Sequence, residues 1–506
     1  MFVFSRLDTG SASLVGNAYL PLIYYPMRPL TLVLVLCFVV WIPTFAQKQK
    51  VNPNKQAVIQ SVDKHQAELT KLSDQIWEYA ETALKEYRSS KVLADYAEAQ
   101  GFRVTRGVAE LPTAFIAEFG SGKPVIGIMG EYDALPGISQ KVQPTREPLV
   151  SGGGGHGCGH NLFGAGSLGA ALAVKELIQA GKLKGTIRFY GTPAEESVGG
   201  KIYMARAGLF NDLDVCLDWH PDVEIAASTQ SSQAIIDFIV EFKGKAAHAA
   251  ADPWNGRSAV DGLEAFTDGV NMLREHVRPS VRMHYAIMAG GDVPNVVPEY
   301  AKVWMWVRDS KRSGVDEVFA RVKDIAQGAA MIAGVESKIT IQTGDYEILV
   351  NRTGAQALQK NLEMLGPITY TPEEIAFAKK IQEEQGGSQT GLDGAIHPLK
   401  ETAETPPGGS TDVGDISWIV PEITLVATTA PANTAWHGWS VVACGGMSIG
   451  HKGLVLAAKS LGMTIVDLFE NEQLRKDIRN EFEQRRGGHV YKPYIPEGPP
   501  PIPAKE

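Results

Sequence analysis

The chain reads as an α/β protein, a larger domain with a mostly parallel sheet covered by helices and interrupted by an inserted βαββαβ domain. Three features predict this. Short apolar runs such as VIGIMG (125–130) and TIRFY (186–190) have the length and abrupt closure of buried strands. Between them a long apolar helix, Leu162–Ala180, runs straight out of a glycine-rich loop. Residues 234–346 then change rhythm: strand Ala234–Phe242, helix Arg257–His276, strands Val281–Met288 and Ala301–Val307, helix Val315–Ala333, strand Ser337–Thr343. That order is the ferredoxin-like split unit.

Taken in order, residues 1–26 fit no part of an export signal. Met27-Arg28, the apolar run Leu30–Ile42 and Ala46 supply a positive start, a short apolar core and a small residue for cleavage. We therefore expect translation to start at Met27, a signal peptide at 27–46, and export to the periplasm or beyond. The run is shorter than the roughly 20 residues a bilayer span needs, so no stable membrane span is expected after cleavage. A retained anchor is the alternative. Residues 47–233 would form the first part of the larger domain, 234–346 the insert, 347–475 the second part and 476–506 a tail.

Apolar residues at Ile59, Val62, Leu69, Leu72, Ile76 and Tyr79 give Lys55–Leu84 a helical period, and a second helix, Ser89–Ala99, stops at Gly101. FRVTRGVAEL (102–111) and TAFIAEFG (113–120) read as strands, as does Asp214–Asp218, which ends in Trp219-His220. After the insert the α/β pattern resumes at Thr353–Leu365. Glu384–Gly409 is a polar loop, Ile423–Ala427 a strand and Lys452–Phe469 a last helix. The proline-rich tail from Tyr491 is expected at the surface.

With 506 residues, 44 % of them apolar, the chain can bury two or three cores. Its net charge of −9 excludes nucleic acid as an expected partner, because phosphate neutralisation needs a basic face. Of the four cysteines, Cys37 lies in the expected signal. The remaining three (Cys158, Cys216, Cys444) cannot build a disulfide framework.

The chemistry centres on GGGGHGCGHN (152–161), which sets Cys158 and His160 two residues apart. A thiolate and an imidazole that close can share a soft or borderline metal ion; a glycine-rich loop around a buried thiol is the other reading. Further ligand-type side chains sit at strand ends: Glu131 and Asp133 after VIGIMG, Glu195 and Glu196 after TIRFY, His220 after DVCLD, His437 after ITLVA. Sites in open α/β sheets gather at the carboxyl ends of strands, so these groups can share one crevice. Neighbouring side chains in extended backbone point opposite ways. One carboxylate of the Glu195-Glu196 pair can therefore ligate metal while the other takes a proton from a water acidified between two divalent ions. An acidic pair at a helix N-terminus, stabilised by the dipole, is the plain alternative.

GEYDALPGISQ (130–140), GHGCGHN (155–161), GTPAEE (191–196), WHP (219–221), GKAAHAA (244–250), PNVVP (294–298), STDVGDISW (410–418) and WHGW (436–439) occur in the order of a known family. Together they resemble the co-catalytic metallopeptidases and amidohydrolases, which include glutamate carboxypeptidase, aminoacylase, hippurate hydrolase and the auxin-conjugate hydrolases. The resemblance runs from about Lys55 to Pro496. It implies two divalent metal ions, manganese or zinc, with Cys158 as the bridging ligand, His160 beside it, and Glu196, His220 and His437 completing the set. It implies Glu195 as general base, and His248 and Asn295 from the insert as oxyanion and substrate contacts, His248 reaching the partner subunit's site. Arg308 would bind a substrate carboxylate, for which a bidentate guanidinium is suited. A peptidase-branch ligand histidine is replaced here by Glu131, which leaves Glu131 and Asp133 to orient the ligands. His156 would support the loop. Asp412 and Asp415 have no role that can be derived.

The expectation is a metal-dependent hydrolase that cleaves the amide of an N-acyl amino acid, working as a homodimer or with a related subunit. A metallo-dipeptidase or carboxypeptidase is the nearest alternative. A Cys158–His160 thiol hydrolase and a non-catalytic acyl-amino-acid binder are the more distant ones.

Overall fold

The computed structural model describes residues 52–503 apart from 404, 405 and 407. The expected start at Met27 and the signal at 27–46 lie outside the described residues. Strands β1 (Arg103–Arg106), β2 (Phe115–Gly120), β3 (Val125–Gly130), β4 (Thr186–Gly191), β5 (Val215–Asp222) and β6 (Ala226–Ala227) come first. They are followed by β7 (Ala234–Lys243), β8 (Arg282–Gly290), β9 (Tyr300–Asp309), β10 (Glu336–Thr343) and β11 (Glu422–Thr428). One sheet has seven strands in the order β1-β2-β4-β3-β5-β11-β6. Its centre, β4-β3-β5-β11, is parallel and its flanks are antiparallel. The parallel centre aims four carboxyl ends at one edge.

Helix His160–Gln179 is buried along nearly its whole length, which is why its sequence is apolar on every face. It packs between helices Pro53–Tyr79 and Ser448–Glu470 and over β3. Gly159, at φ 77°, turns the chain into it. Gly164 lets it approach the end of β3: a Cβ there would lie 2.6 Å from the Glu131 carbonyl oxygen. Trp219 Nε1 donates to the Phe163 carbonyl across the same contact.

The second sheet has four antiparallel strands in the order β10-β7-β9-β8. Helices Ala259–Leu273 and Arg312–Ala333 cover one face, over a core of its own that includes Phe238, Phe242, Phe266, Val303, Met305 and Phe319. This is the βαββαβ unit read from the sequence. On β9, Ala301, Val303, Met305 and Val307 alternate into that core. Period-two alternation sends Trp304, Trp306 and Arg308 to the opposite, helix-free face.

Several elements differ from the sequence reading. The first helix stops at Tyr79, not Leu84, because Ala80 takes a left-handed cap. Only Arg103–Arg106 of 102–111 is strand, because Gly107 turns at φ 70° into a short 3-10 turn. Strand β5 runs on to Asp222, its extension paired with Val426, Ala427 and Thr428 of β11. Helix Pro372–Glu384 is an addition to that reading, although Thr371 and Glu374 form a full capping box that marks it. Helix Glu472–Arg486 occupies much of the segment assigned to the tail. The tail beyond it is pinned as well as superficial: Tyr491 donates to Asp415 (2.7 Å), and Tyr494 stacks under the Arg312 guanidinium.

Gly164→Ala should push the long helix off β3 and cost about 1–3 kcal/mol, the usual range for overpacking. Chemical denaturation measures it, and a change below about 0.5 kcal/mol, ordinary for an uninvolved surface site, would contradict the close approach.

Candidate active site

The parallel centre of the large sheet delivers its side chains to one crevice. Glu131 and Asp133 follow β3, Glu195 and Glu196 follow β4, and His220 lies on the extension of β5. Thr192 bonds the Gly130 carbonyl through its N–H and its hydroxyl (3.0 and 3.2 Å), tying the β4 exit to the β3 exit. Ala194 is held at φ 61°, a strained value for a residue with a Cβ. Its N–H donates to the buried Glu86 carboxylate (2.9 Å), which holds the turn that presents Glu195.

Two sets of ligand atoms emerge, each lying within 4.8 Å of one another: Cys158, His160 and His220, and Cys158, Glu196 and His437. Cys158 belongs to both, the position of a bridge. A third grouping is Glu131, His160 and Glu195. His437, on a loop at φ 59°, is tied in by its N–H to the Gly157 carbonyl (3.0 Å), and its Nε2 lies 3.5 Å from Glu196 Oε2.

The ligands are oriented from behind. Asp133 Oδ1 is 2.9 Å from His160 Nδ1, and its Oδ2 accepts from the Glu196 N–H (2.9 Å). That leaves His160 Nε2 to face the crevice, buried and without a hydrogen-bond partner. Asp218 stands 3.5 Å behind His220 Nδ1, and the Phe163 ring packs on the His220 imidazole. His156 donates from Nε2 to the Ile76 carbonyl (3.0 Å), which braces the loop. Thiolate, imidazole and carboxylate donors around orphaned buried atoms fit a borderline divalent ion.

Electrostatics point the same way. Burial, then repulsion from Glu131 and Glu196, pushes Glu195 well above the usual carboxylate range. Burial likewise raises Glu196 to about 7. For Glu131 burial works upward, but Lys201, His160 and His220 outweigh it and hold it well below normal. Burial pushes the Cys158 thiol up, which disfavours a free nucleophilic thiolate and weighs against the thiol-hydrolase reading.

Not every expected residue joins the cluster. His248 and Asn295 are exposed on facing loops of the βαββαβ unit, joined by backbone bonds such as Ala249 N–H to the Asn295 carbonyl, and among the described residues contact none of the candidate ligands. His248 Nδ1 accepts from the Ala250 and Ala251 N–H groups (3.2 and 3.1 Å), which puts its proton on Nε2 as an outward donor. Arg308 lies over Trp306 at 5.0 Å and makes no ion pair among the described residues. Asp415 belongs to the tail contact, whereas Asp412 grips Lys201 beside Glu131. Lys201, Asp218 and Glu86 were not singled out from the sequence. Asp218 was findable, two residues before His220 on one strand and so on its face; Lys201 carried no signal.

A crevice at the carboxyl ends of parallel strands, with two ligand sets sharing a thiol and a buried carboxylate alongside, defines a co-catalytic metallohydrolase. Residues 127–416, more than half the chain, match the peptidase family M20/M25/M40, and the protein belongs to that family. It is 39 % identical over 464 residues to a p-aminobenzoyl-glutamate hydrolase subunit of Escherichia coli, covering 86 % of this chain and 96 % of that one. It is 30 % identical over 444 residues to the human Xaa-Arg dipeptidase, covering 83 % and 90 %. The fold is that of the Bacillus subtilis YXEP protein, a dinuclear metal binding peptidase from the M20 family: TM-score 0.55, 19 % identity, 81 % and 99 % coverage. The chain is therefore a metal-dependent hydrolase of amide or peptide bonds, and the cluster holds side chains that could ligate divalent metal ions.

Asp133→Ala removes the partner of His160 Nδ1 and of the Glu196 N–H. Metal affinity should fall roughly 10–100-fold with the fold kept, measured by chelator competition alongside circular dichroism. Unchanged affinity would show that Asp133 does not orient the ligands.

Proposed function

We propose that the protein hydrolyses the amide bond of N-acyl amino acids and releases the free amino acid. The observation that carries this is the unpaired Arg308 guanidinium on the helix-free face of the βαββαβ sheet, in a chain whose other half holds the metallohydrolase cluster. A planar guanidinium stacked on an indole suits a substrate carboxylate. The sequence kinship to a p-aminobenzoyl-glutamate hydrolase supports that substrate class.

The bound divalent ions supply polarisation of the scissile carbonyl and a lowered pKa for the attacking water. Glu195 takes the proton of that water and returns it to the departing amine, the task for which its raised pKa suits it. Cys158, His160, Glu196, His220 and His437 hold the ions. The donor set suits zinc and is compatible with manganese. His248 Nε2–H and the Asn295 amide supply oxyanion donors across a subunit contact, where such donors are a large catalytic factor. Edge strand β8 and the loop after it leave Ile287, Met288, Val293 and Val296 exposed, which supports pairing there with a second copy or a related subunit. The signal expected at 27–46 makes this an exported enzyme.

A dipeptidase is the second reading, favoured by the kinship to the Xaa-Arg dipeptidase. A panel of N-acyl amino acids and dipeptides separates the two.

Glu195→Gln should lower kcat by about 10²-fold or more while both metal ions stay bound, read by steady-state kinetics with elemental analysis. Retained activity would remove the mechanism. Arg308→Ala should raise KM for carboxylate-bearing substrates far more than for their amides; an equal effect on both would end the carboxylate assignment.

A further inference from the structure

The sequence assigns Glu131 the task of orienting ligands, and its surroundings argue otherwise. The carboxylate is fully buried, at 0 % exposure. Its Oε1 is 2.5 Å from Lys201 Nζ, and Lys201 is itself 0 % exposed. Asp412 fixes Lys201 twice, through Nζ at Oδ1 (2.6 Å) and through the backbone N–H at Oδ2 (2.9 Å). One ammonium thus serves two carboxylates, and the uncompensated charge is left on Glu131.

That charge faces the crevice. Glu131 Oε2 lies 2.8 Å from His160 Nε2 and 3.5 Å from His220 Nε2. Yet Oε2 and His160 Nε2 are both buried without a hydrogen bond of acceptable geometry. An orienting carboxylate accepts from the ring nitrogen remote from the metal. For His160 that position is taken by Asp133, and for His220 the near carboxylate is Asp218. With Nδ1 of each ring turned to a carboxylate, each Nε2 offers a lone pair. The Oε2 lone pairs meet these two, an arrangement stabilised by a cation at their centre and costly without one.

Resting on the metallohydrolase reading above, we propose that Glu131 is a direct ligand of the ion held by His160 and His220. Lys201, gripped by Asp412, is the positioning residue that turns its carboxylate there. This ion then has Cys158, His160, His220 and Glu131 as ligands, while the other has Cys158, Glu196 and His437. The two sites differ in charge and ligand number. The buried trio gives Asp412 its role, linking STDVGDISW to Glu131 through Lys201.

The test is calorimetric titration of the metal-free full chain with Mn2+, with elemental analysis of the loaded protein. Wild type should take up two ions. In Glu131→Gln the amide oxygen still accepts from Lys201, so only the anionic ligand is lost. One ion should weaken about 10-fold or more while the other stays within about twofold. His220→Ala should weaken the same ion, and adding Glu131→Gln to it should leave the remaining ion unchanged. Lys201→Met should weaken that ion too. Should it fail to fold, the paired Glu131→Gln/Lys201→Met protein, which removes both charges together, must show the Glu131→Gln titration. Two ions of unaltered affinity in Glu131→Gln would overturn the proposal and leave the amidohydrolase reading standing. A wild-type protein that takes up no ion would overturn both.

Discussion

The structure turns on the repulsion among buried and half-buried carboxylates at one edge of the large sheet. Glu131, Asp133, Glu195 and Glu196 converge there with Asp412 behind, and Lys201 is the one ammonium paired among them in the described residues. Burial penalises the charges of Glu131, Glu195, Glu196 and Asp412, and their proximity adds to the cost. Such a cluster would be stabilised by cations that divide it, and its thiolate, imidazole and carboxylate donors suit borderline divalent ions. Glu195, outside the two ligand sets that share Cys158, keeps a high proton affinity, which is what general base and acid duty requires.

Backbone geometry makes the cluster possible. Parallel β3, β4, β5 and β11 point their carboxyl ends one way, so residues far apart in sequence arrive at one crevice. The small residues of helix His160–Gln179 let it press on the end of β3, which sets His160 against Asp133. The strained Ala194 and the left-handed His437 are the local cost, held by Glu86 and by the Gly157 carbonyl. The second sheet keeps its own core and turns Trp306 and Arg308 away from it.

Most of the fold is legible in the sequence because buried strands, the glycine loop and the βαββαβ rhythm each leave a periodic trace. Helix Pro372–Glu384 leaves a shorter one, the capping pair Thr371 and Glu374, inside a stretch whose apolar period is weak. Residue type and position bring Cys158, His160, Glu196, His220 and His437 into view as candidate ligands, and the motif resemblance separates them from the neighbouring carboxylates. Glu131 falls at the right strand end, but which of its oxygens faces which imidazole depends on Lys201, seventy residues on and unmarked by pattern. His248 and Asn295 show the opposite limit. Their residue types suit catalysis, while their exposed position leaves them without contact to the cluster among the described residues.

The central claim is a two-ion site bridged by Cys158. Anomalous diffraction at the metal edge from crystals of the loaded protein tests it most directly. The account predicts two peaks roughly 3.5–4 Å apart, one among Cys158, His160 and His220, the other among Cys158, Glu196 and His437. A single peak, or two that do not share the Cys158 sulfur, would contradict it.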